Sequence, residues 1–352
     1  MASLLLFILL TMLFAGLIFS PATAHADRQS RAKEEFNGRI ALFPFENNSD
    51  AIDVLPQVMP AVKSELEKRG YVLLDEKSLN RFLLKERIRT TAYISKDLAR
   101  KIRNELKVDA VLMGSVSSFY TKENPGLGLM ARLVGTSGDR IIWADCASAT
   151  GEDFTRILGL GTVRTIGRLV PKVVDRLFSS FSAIPAYKET ESTYQVAVMP
   201  FLNRSRKLDA GIIVSRMFLT ELSRSRKFQP IEYGEVRKWI VDQRVRYKGE
   251  LDYRSIEGLS KPLAADVFLV GTVELYSDGQ DTSSPPEAVI TARLIDARKN
   301  SILWYESGRL RGDDNITVLD LGRIRSVDGV AQHLVSELVK KMESAGFYHN
   351  GN

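Results

Sequence analysis

One eight-residue pattern occurs twice in this 352-residue chain. Ile40–Asn47 reads IALFPFEN, and Val196–Asn203, 156 positions later, reads VAVMPFLN. Further matches follow in the same order, at offsets of 157 and then 161 positions: Val108–Val116 with Ala265–Val273, Ala131–Leu133 with Ala292–Leu294, and Ile142–Trp143 with Leu303–Trp304. Ordered self-similarity at a nearly fixed spacing indicates a duplicated structural unit. The chain is therefore predicted to contain two copies of one domain.

Hydrophobic periodicity in the first copy predicts alternating strands and helices, followed by a cluster of strands. The predicted strands are 39–45, 71–74, 108–120, 127–134 and 140–148. The predicted helices include 56–69 and a closing helix whose apolar stripe runs from Ile166 to Phe181, with Ser78 and Ser95 as caps of the helices between them. This order predicts an α/β fold of two tandem α/β sandwich domains, each a mixed sheet packed by helices.

Domain boundaries follow from the matched blocks and from the polar stretch between them. We predict the first repeat at 39–182, a linker at 183–193 and the second repeat at 194–346. The linker contains Pro185 in a polar run, which is typical of a connection between domains. A four-residue insertion in the second copy falls in 277–286, which predicts a lengthened hairpin turn rich in Asp, Ser and Pro.

The amino terminus has the pattern of an export signal. Residues 1–20 contain no Asp, Glu, Lys or Arg, and Ala24 and Ala26 form an A-x-A cleavage pattern. We predict a signal peptide at 1–26 and a periplasmic location. Because no basic residue precedes the apolar run, an uncleaved inner-membrane anchor is the alternative. No Cys lies near the end of the apolar run, so lipid attachment of the lipoprotein kind has no residue to carry it.

Composition excludes several classes of site. Cys146 is the single cysteine, which excludes an internal disulfide and a Cys-rich zinc site, and we predict it to be a small buried residue near a strand end. The three histidines are His25, His333 and His349, and none has a counterpart in the other repeat. A histidine-based triad or zinc centre is therefore not expected, and we predict no enzyme activity, no metal site and no cofactor.

Other polar and aromatic residues are interpreted as parts of the fold. Asp109 and Asp266 occupy matching places before a strand and are predicted to orient the turn into it. The acidic pairs at 152–153 and 313–314 are predicted to cap the closing helices. Trp143 and Trp304, paired across the repeats, are predicted core residues. The glycines at 126–128 and 159–161 lack the Lys and Ser/Thr that a phosphate-binding loop requires.

The stretch 224–254 interleaves basic and aromatic residues, a pattern that binds nucleic acid or glycan in some proteins. Export argues against nucleic acid, and intervening acidic residues dilute the charge. A solvated helix face is the first interpretation, and a surface for an acidic envelope partner is the second. The formal net charge of +6 adds only a weak preference for acidic partners. The candidate partner-binding residues are Arg237, Lys238, Trp239, Arg244 and Arg246.

The two opening motifs at 40–47 and 196–203, the D-A-V-L-M-G strand start at 109–114 and the late strand carrying Trp143 together resemble the CsgG-like envelope domain. The resemblance extends to the amino-terminal domain of TolB-like proteins and covers nearly all of the chain after the signal, once per repeat. It implies an envelope protein of α/β sandwich fold. Unlike the curli secretion channel subunits, the chain has no lipobox Cys and no long alternating strand pair predicted to form a membrane barrel.

These observations predict a non-enzymatic periplasmic accessory or scaffold protein of a cell-envelope assembly or transport system, which acts by protein–protein binding. The expected partners are envelope proteins or further copies of the chain, close to the outer membrane but without a barrel of its own, and not nucleic acid. The alternative is a soluble ring-forming subunit of an outer-membrane secretion complex related to the curli channels. An envelope hydrolase would need a reactive constellation that the sequence does not contain.

Overall fold

A computed structural model describes residues 38–122, 124–138, 140–155, 160–181, 194–245, 251–279, 284–317 and 322–346. The predicted signal peptide (1–26) and linker (183–193) lie outside these residues, so both stay predictions. The strands of the first repeat are β1 (Arg39–Leu42), β2 (Glu46–Asn47), β3 (Val72–Leu73), β4 (Ala110–Tyr120), β5 (Gly126–Gly135) and β6 (Ile141–Thr150). Its helices are α1 (Leu55–Lys68), α2 (Glu76–Lys85), α3 (Lys96–Leu106) and α4 (Ile166–Phe178).

The second repeat contains the same elements in the same order. Its strands are β7 (Tyr194–Val198), β8 (Leu202–Asn203), β9 (Phe228–Pro230), β10 (Val267–Ser277), β11 (Glu287–Asp296) and β12 (Ile302–Arg311). Its helices are α5 (Ala210–Ser223), α6 (Tyr233–Asp242), α7 (Tyr253–Leu263) and α8 (Val327–Ser344). The strands β5 and β6 are offset from β11 and β12 by 161 positions, as the sequence matches require.

Each repeat forms a mixed sheet. The first has the order β3-β1-β4-β5-β6 with β2 beside β4, and the second has the order β12-β11-β10-β7-β9 with β8 beside β10. The opening strand is parallel to its two neighbours, whereas the last three strands are antiparallel. The predicted α/β fold class is confirmed.

Local sequence explains where the strands begin and end. The first predicted strand is shorter than expected, because Pro44 interrupts the ladder and pairing resumes only at Glu46. The carboxylate of Asp109 accepts the Arg39 N–H at 3.1 Å, and Asp266 accepts the Gln195 N–H at 2.9 Å. Both aspartates therefore tie the start of a central strand to the opening strand.

Helix caps agree with the sequence predictions only in part. Ser95 caps α3 as predicted, since its hydroxyl accepts the Leu98 N–H at 3.3 Å. The prediction for Ser78 is wrong, because Asp75 caps α2 and accepts the Ser78 N–H at 2.8 Å. The predicted caps of the closing helices are also wrong: α4 starts after Thr165 and α8 after Ser326.

The acidic pairs lie instead at the ends of the last strands, where their carboxylates accept backbone N–H groups. Asp153 accepts the Thr150 N–H at 2.6 Å, and Asp314 accepts the Arg311 N–H at 2.7 Å. These carboxylates therefore close the turn that follows β6 and the turn that follows β12.

Helices cover the sheets in layers. In the first repeat α1 and α4 pack on one face, while α2 and α3 cover the part of the other face near the start of β4. In the second repeat α5 and α8 occupy the first face, and α6 and α7 cover the corresponding part of the other. Gly38–Asn352 fall in one compact unit, within which the two repeats pack on each other.

Candidate protein-binding surface

The helices α5 and α8 of the second repeat lie between the two sheets. One side of this helix layer packs on its own sheet, and the other side packs on β5 and β6 of the first repeat. Met130 and Cys146 of the first sheet accordingly belong to the hydrophobic core of the second repeat. The part of the first sheet that α2 and α3 leave uncovered is thus closed by the second repeat.

Eight side chains of the first sheet form this contact, and we call them the closed surface. All are buried except Ser148, which is half-buried. They are Ser115, Ser117, Gly128, Met130, Arg132, Ala144, Cys146 and Ser148. Most of them are small, so the helices can approach the strands closely.

A buried ion pair joins the two repeats. Arg132 of β5 donates from Nε and Nη2 to the two carboxylate oxygens of Glu232 at 2.8 and 2.7 Å, and Nη2 also donates to the Ala92 carbonyl. Arg132 is 6% exposed and Glu232 is 1% exposed. A fork-shaped guanidinium suits this two-point contact, and water is excluded from it. The pair therefore fixes one lateral position of the second repeat on the first sheet.

A buried carboxylate forms a second connection. Asp328, in the first turn of α8, accepts a hydrogen bond from Ser117 at 2.8 Å and further bonds from Ser118 and Tyr276. Burial, and then the charge of Asp328, raises the pKa of Tyr276 well above its usual value. A Cβ at Gly128 would lie 1.8 Å from Asp328 Oδ2, so the glycine makes room for the carboxylate.

A third contact joins α5 to the strand β2. Arg216 donates to Asn48 Oδ1 at 2.7 Å and pairs with Glu46. Burial lowers the pKa of the Arg216 guanidinium, although Glu46 opposes this shift. The contact supplies both charge pairing and hydrogen bonding for a largely buried cation.

Side chains also block the outer edge of β6, the last strand of the first sheet. The carbonyls of residues 144, 146 and 148 point away from β5 and accept hydrogen bonds from Arg224 at 3.4 Å, Gln332 at 3.2 Å and Arg176 at 3.0 Å. Such capping prevents an edge strand from pairing with another chain. Cys146, predicted to lie near a strand end, is buried in the middle of β6, and burial raises the pKa of its thiol to about 12.

The equivalent part of the second sheet is open. Along β11 the residues alternate between buried and half-buried, whereas all ten residues of β5 are buried. Alternation is typical of a sheet with one face in water. We call the eight equivalent positions the open surface, and none of them is buried: Thr272, Glu274, Val289, Thr291, Arg293, Tyr305, Ser307 and Arg309.

The outer edge of β12 differs from that of β6 in the same way. Glu337 occupies the position of Arg176 and pairs with His333 at 3.3 Å, so it offers no donor to the strand. Within the described part of the chain, no side chain donates to the carbonyls of residues 305, 307 or 309. Tyr305 is 58% exposed beside this edge. The second sheet therefore presents both an uncovered face and an unpaired edge.

The residues predicted as a partner-binding surface lie on and after α6. The Arg237 guanidinium lies 5.5 Å from the centre of the Tyr93 ring, and Lys238 pairs with Asp97 at 2.6 Å. The hydrogen bond to Asp97 raises the pKa of Lys238. Two of the predicted residues thus contact the first repeat.

Trp239 and Arg244 form hydrogen bonds within the second repeat. Trp239 donates to Glu235 at 2.9 Å, and Arg244 follows the helix with a φ of 52°. Arg246 lies outside the described residues. A partner-binding role for this group stays a prediction.

A polar cleft of about 740 Å³ lies beside β6 and α8. Charges of both signs line it and pair with each other: Arg325 lies 3.5 Å from Glu152 and 3.7 Å from Asp153. Burial raises the pKa of Glu221 at the same cleft. Across the described ranges, no three His, Cys, Asp or Glu side chains are grouped to hold a metal ion. His333 pairs with Glu337 beside the cleft.

The two predicted core tryptophans are both buried. Trp143 is 8% exposed and Trp304 is 9% exposed.

Among the helices whose residues the structure describes, none has the length and apolar character needed to cross a membrane.

Comparisons with known proteins found only distant structural similarity. No family model and no curated protein sequence matches the chain. Among solved structures, it is similar to a PelC dodecamer from Paraburkholderia phytofirmans (18% identity, TM-score 0.29, covering 42% of this chain and 86% of that one). It is also similar to lipoprotein GNA1162 from Neisseria meningitidis (22%, 0.30, 41% and 99%) and to the LpoB C-terminal domain from Salmonella enterica (13%, 0.27, 34% and 84%). The resemblance to the CsgG-like family stays a prediction.

Proposed function

We propose that the protein is a non-enzymatic periplasmic accessory or scaffold protein of a cell-envelope assembly or transport system, and that it binds protein at the open surface of its second repeat. One observation carries the proposal. The closed surface of the first repeat is a protein-binding surface, because the second repeat covers it, forms a buried ion pair with it and donates to the β6 carbonyls from Arg224 and Gln332. The equivalent positions of the second repeat form the open surface, and none of them is buried.

The chemistry of the open surface suits a partner of mixed polarity. Thr291 and Ser307 share a hydrogen bond of 3.0 Å across the strands, and Tyr305 offers an aromatic ring with a polar tip. The side chain of Arg293, a residue of β11, has no hydrogen bond or ion pair with another described residue. Arg293 and Tyr305 are accessible side chains of the type that anchors a protein partner. The unpaired carbonyls of β12 beside them can accept main-chain hydrogen bonds from the same partner.

Site-specific photocrosslinking in the cell tests this proposal. A photoreactive amino acid replaces Tyr305, and in a matched control it replaces Val241, a residue of α6 that is 59% exposed. Its equivalent in the first repeat, Leu84, is 80% exposed, so this position lies outside the contact between the repeats. We expect a discrete protein adduct from position 305 and none from position 241. Absence of an adduct at 305, or equal adducts at both positions, would show that the open surface binds no specific protein.

A second candidate, the ring-forming subunit, is favoured by a different observation. The outer faces of α1 and α4 are exposed, and they are the equivalents of the faces of α5 and α8 that cover the first sheet. The chain therefore presents the outer faces of α1 and α4 and the open surface. The equivalents of these two surfaces, the helices α5 and α8 and the closed surface, bind each other within the chain. A particle of several copies, measured by analytical ultracentrifugation, would distinguish this candidate from a scaffold that binds only other proteins.

A further inference from the structure

We infer that the occupant of the open surface is a second copy of this chain, which contributes the outer faces of α1 and α4 and the start of α2. This inference rests on the proposed function, because it names the partner of the same surface. The contact would repeat the packing between the two repeats, and each copy would offer one surface of each kind. Such head-to-tail contacts generate rings or filaments rather than closed dimers.

Layer order is the first support. From one end to the other, the described chain has the helices α1 and α4, the first sheet, the helices α5 and α8, and the second sheet. Helices form one end and a sheet face forms the other. The outer helical surface is exposed at Gln57, Pro60, Ser64, Gly167 and Pro171.

Charge is the second support, because three of the ion pairs between the repeats have equivalents of the same sign across the contact between copies. The pair of Arg216 with Glu46 has none, since its equivalents are Pro60 and Leu202. The first is Arg132 with Glu232, whose equivalents are Arg293 and Asp75. Asp75 is exposed and caps α2, just as Glu232 stands at the start of α6. An arginine on the open surface would thus meet an acidic helix start on the next copy.

The second ion pair lies beside the strand edge. Arg224, at the end of α5, pairs with Asp145 of β6. The equivalent residues are Lys68, at the end of α1, and Glu306 of β12. Glu306 already pairs with Lys341 of α8 at 2.7 Å, and Lys68 would add a second cation to it. Lys68 is 72% exposed, so it is accessible to a neighbouring copy.

The third ion pair lies at the turn after the last strand. Arg325 pairs with Glu152 and Asp153 between the repeats. The equivalents are Arg164, which is exposed, and the acidic pair at 313–314. Asp313 pairs with Arg311 of its own repeat at 3.4 Å, so Arg164 of another copy would join an ion pair that already exists.

Shape is the third support. Between the repeats, Gly128 leaves space for the side chain of Asp328. Across the contact between copies the large and small residues exchange places: Val289 is the equivalent of Gly128, and Gly167 is the equivalent of Asp328. The valine that would clash with an aspartate thus meets a residue without a side chain.

The contact between copies is not a full replica of the contact within the chain. Gly234, whose Cβ would lie 2.1 Å from the Ile94 carbonyl oxygen, has Lys77 as its equivalent. Lys238 and Asp97 have the equivalents Arg81 and Arg254, which are both basic. The part of the contact beside α2 is therefore looser, and we expect association between copies to be reversible.

A reciprocal charge exchange tests the inference. The chain is expressed with residues 1–37 included in a Gram-negative host and analysed by sedimentation velocity. Wild-type protein is expected to form species larger than dimers as concentration rises. Lys68→Glu and Glu306→Lys are each expected to weaken association at least about tenfold, because each creates a like-charge contact between copies. Glu306→Lys also breaks the pair with Lys341 inside the chain, so recovery on mixing the two variants decides the test.

Mixing the two variants supplies the rescue. In an equimolar mixture of K68E and E306K, alternating copies place opposite charges at every contact, so association should return. Lys299→Glu, on the far turn of the second sheet, is the matched control and is expected to change nothing.

The outcomes separate the two proposals. The head-to-tail contact would be overturned if K68E and E306K associated as strongly as wild type. It would also be overturned if mixing the two variants did not restore association. A wild-type monomer at all concentrations, together with an adduct at position 305 to another envelope protein, would overturn the second-copy inference and support the proposed function. A monomer with no adduct at 305 would overturn both.

Discussion

The same strands in the two repeats have different surroundings, and their sequences differ accordingly. In β5 the outward side chains are Gly128, Met130 and Arg132, and a helix layer buries all three. In β11 the equivalents are Val289, Thr291 and Arg293, and all three remain half-buried. An arginine at this position is therefore not always a buried residue. Arg132 is buried because Glu232 pairs with it, and among the described residues no buried carboxylate lies opposite Arg293.

The largest contrast is expected from removing the two arginines. Arg132→Ala leaves Glu232 charged and buried without a partner, so we expect the free energy of unfolding to fall by about 3–5 kcal/mol. Arg293→Ala removes a side chain with no described partner, so a change within about 0.5 kcal/mol is expected. Urea unfolding at a concentration where the protein is monomeric measures both. Equal losses would mean that the two surfaces do not differ in the way described.

The next contrast concerns volume. Gly128→Val places a side chain where even a Cβ would lie 1.8 Å from Asp328 Oδ2, and we expect a loss of about 3 kcal/mol from overpacking and displacement of the buried carboxylate. Val289→Ala, at the equivalent open position, is expected to cost less than about 1 kcal/mol. Thermal and urea unfolding of both variants decide this. A Gly128→Val variant as stable as wild type would show that the helix layer is not held against β5.

Much of this architecture follows from the sequence, because the apolar blocks of each repeat recur in the same order and specify the same sheet. The contrast between the two surfaces is also partly visible there. The run at 126–135 has no polar alternation and one arginine, whereas 287–296 alternates, which indicates burial on two faces and on one face respectively. The arginine in the apolar run is the available signal for a buried pair. Its partner, Glu232, could not be predicted, since the two are 100 residues apart and meet only through packing of the repeats.

The acidic pairs after β6 and β12 show a related limit. Their sequence context predicts helix starts, because carboxylates favour the positive end of a helix. The helices begin only after Thr165 and Ser326, and the carboxylates accept backbone N–H groups at the strand ends instead. A helix cap can therefore be predicted from the sequence only when the first residue of the helix is known.

The pKa of the Cys146 thiol gives a chemical test of the burial of the closed surface. Burial raises the pKa of Cys146 to about 12, whereas an unfolded thiol ionises at about pH 8.5. The corresponding stability is present below about pH 8.5 and is lost as pH rises toward 12, because only the unfolded chain releases the proton. We expect wild type to lose about 1 kcal/mol more than Cys146→Ala between about pH 8 and about pH 9.5 in urea unfolding. Parallel pH profiles of the two proteins would contradict the buried position of the thiol.

Reactivity offers the matched control for that prediction. In a Cys146→Ala background, Ser307→Cys places a thiol at the equivalent exposed position of β12. At about pH 8 and low concentration it should react rapidly with a thiol reagent, while native Cys146 should not react until the protein unfolds. Similar rates for the two thiols would remove the distinction between the closed and open surfaces.

The smallest contrast is expected at the strand edges. Arg176→Ala removes the donor to the Ser148 carbonyl and should cost about 0.5–1 kcal/mol, since the bond is partly exposed. Glu337→Ala, at the equivalent position, removes no bond to β12 and should change stability by less than about 0.5 kcal/mol. Urea unfolding of the two variants measures the difference. A larger loss for Glu337→Ala would indicate that α8 supports the edge of β12 after all.

Directed crosslinking tests most directly whether the contact within the chain is repeated between copies. In a Cys146→Ala background, cysteines at 68 and 306 are treated with a short bismaleimide. The internal counterpart, with cysteines at 224 and 145, serves as the positive control, because those side chains pair within one chain. We expect a ladder of covalent oligomers from the 68/306 pair and crosslinked monomers from the 224/145 pair. Crosslinked monomers from 224/145 with no oligomers from 68/306 would contradict this expectation.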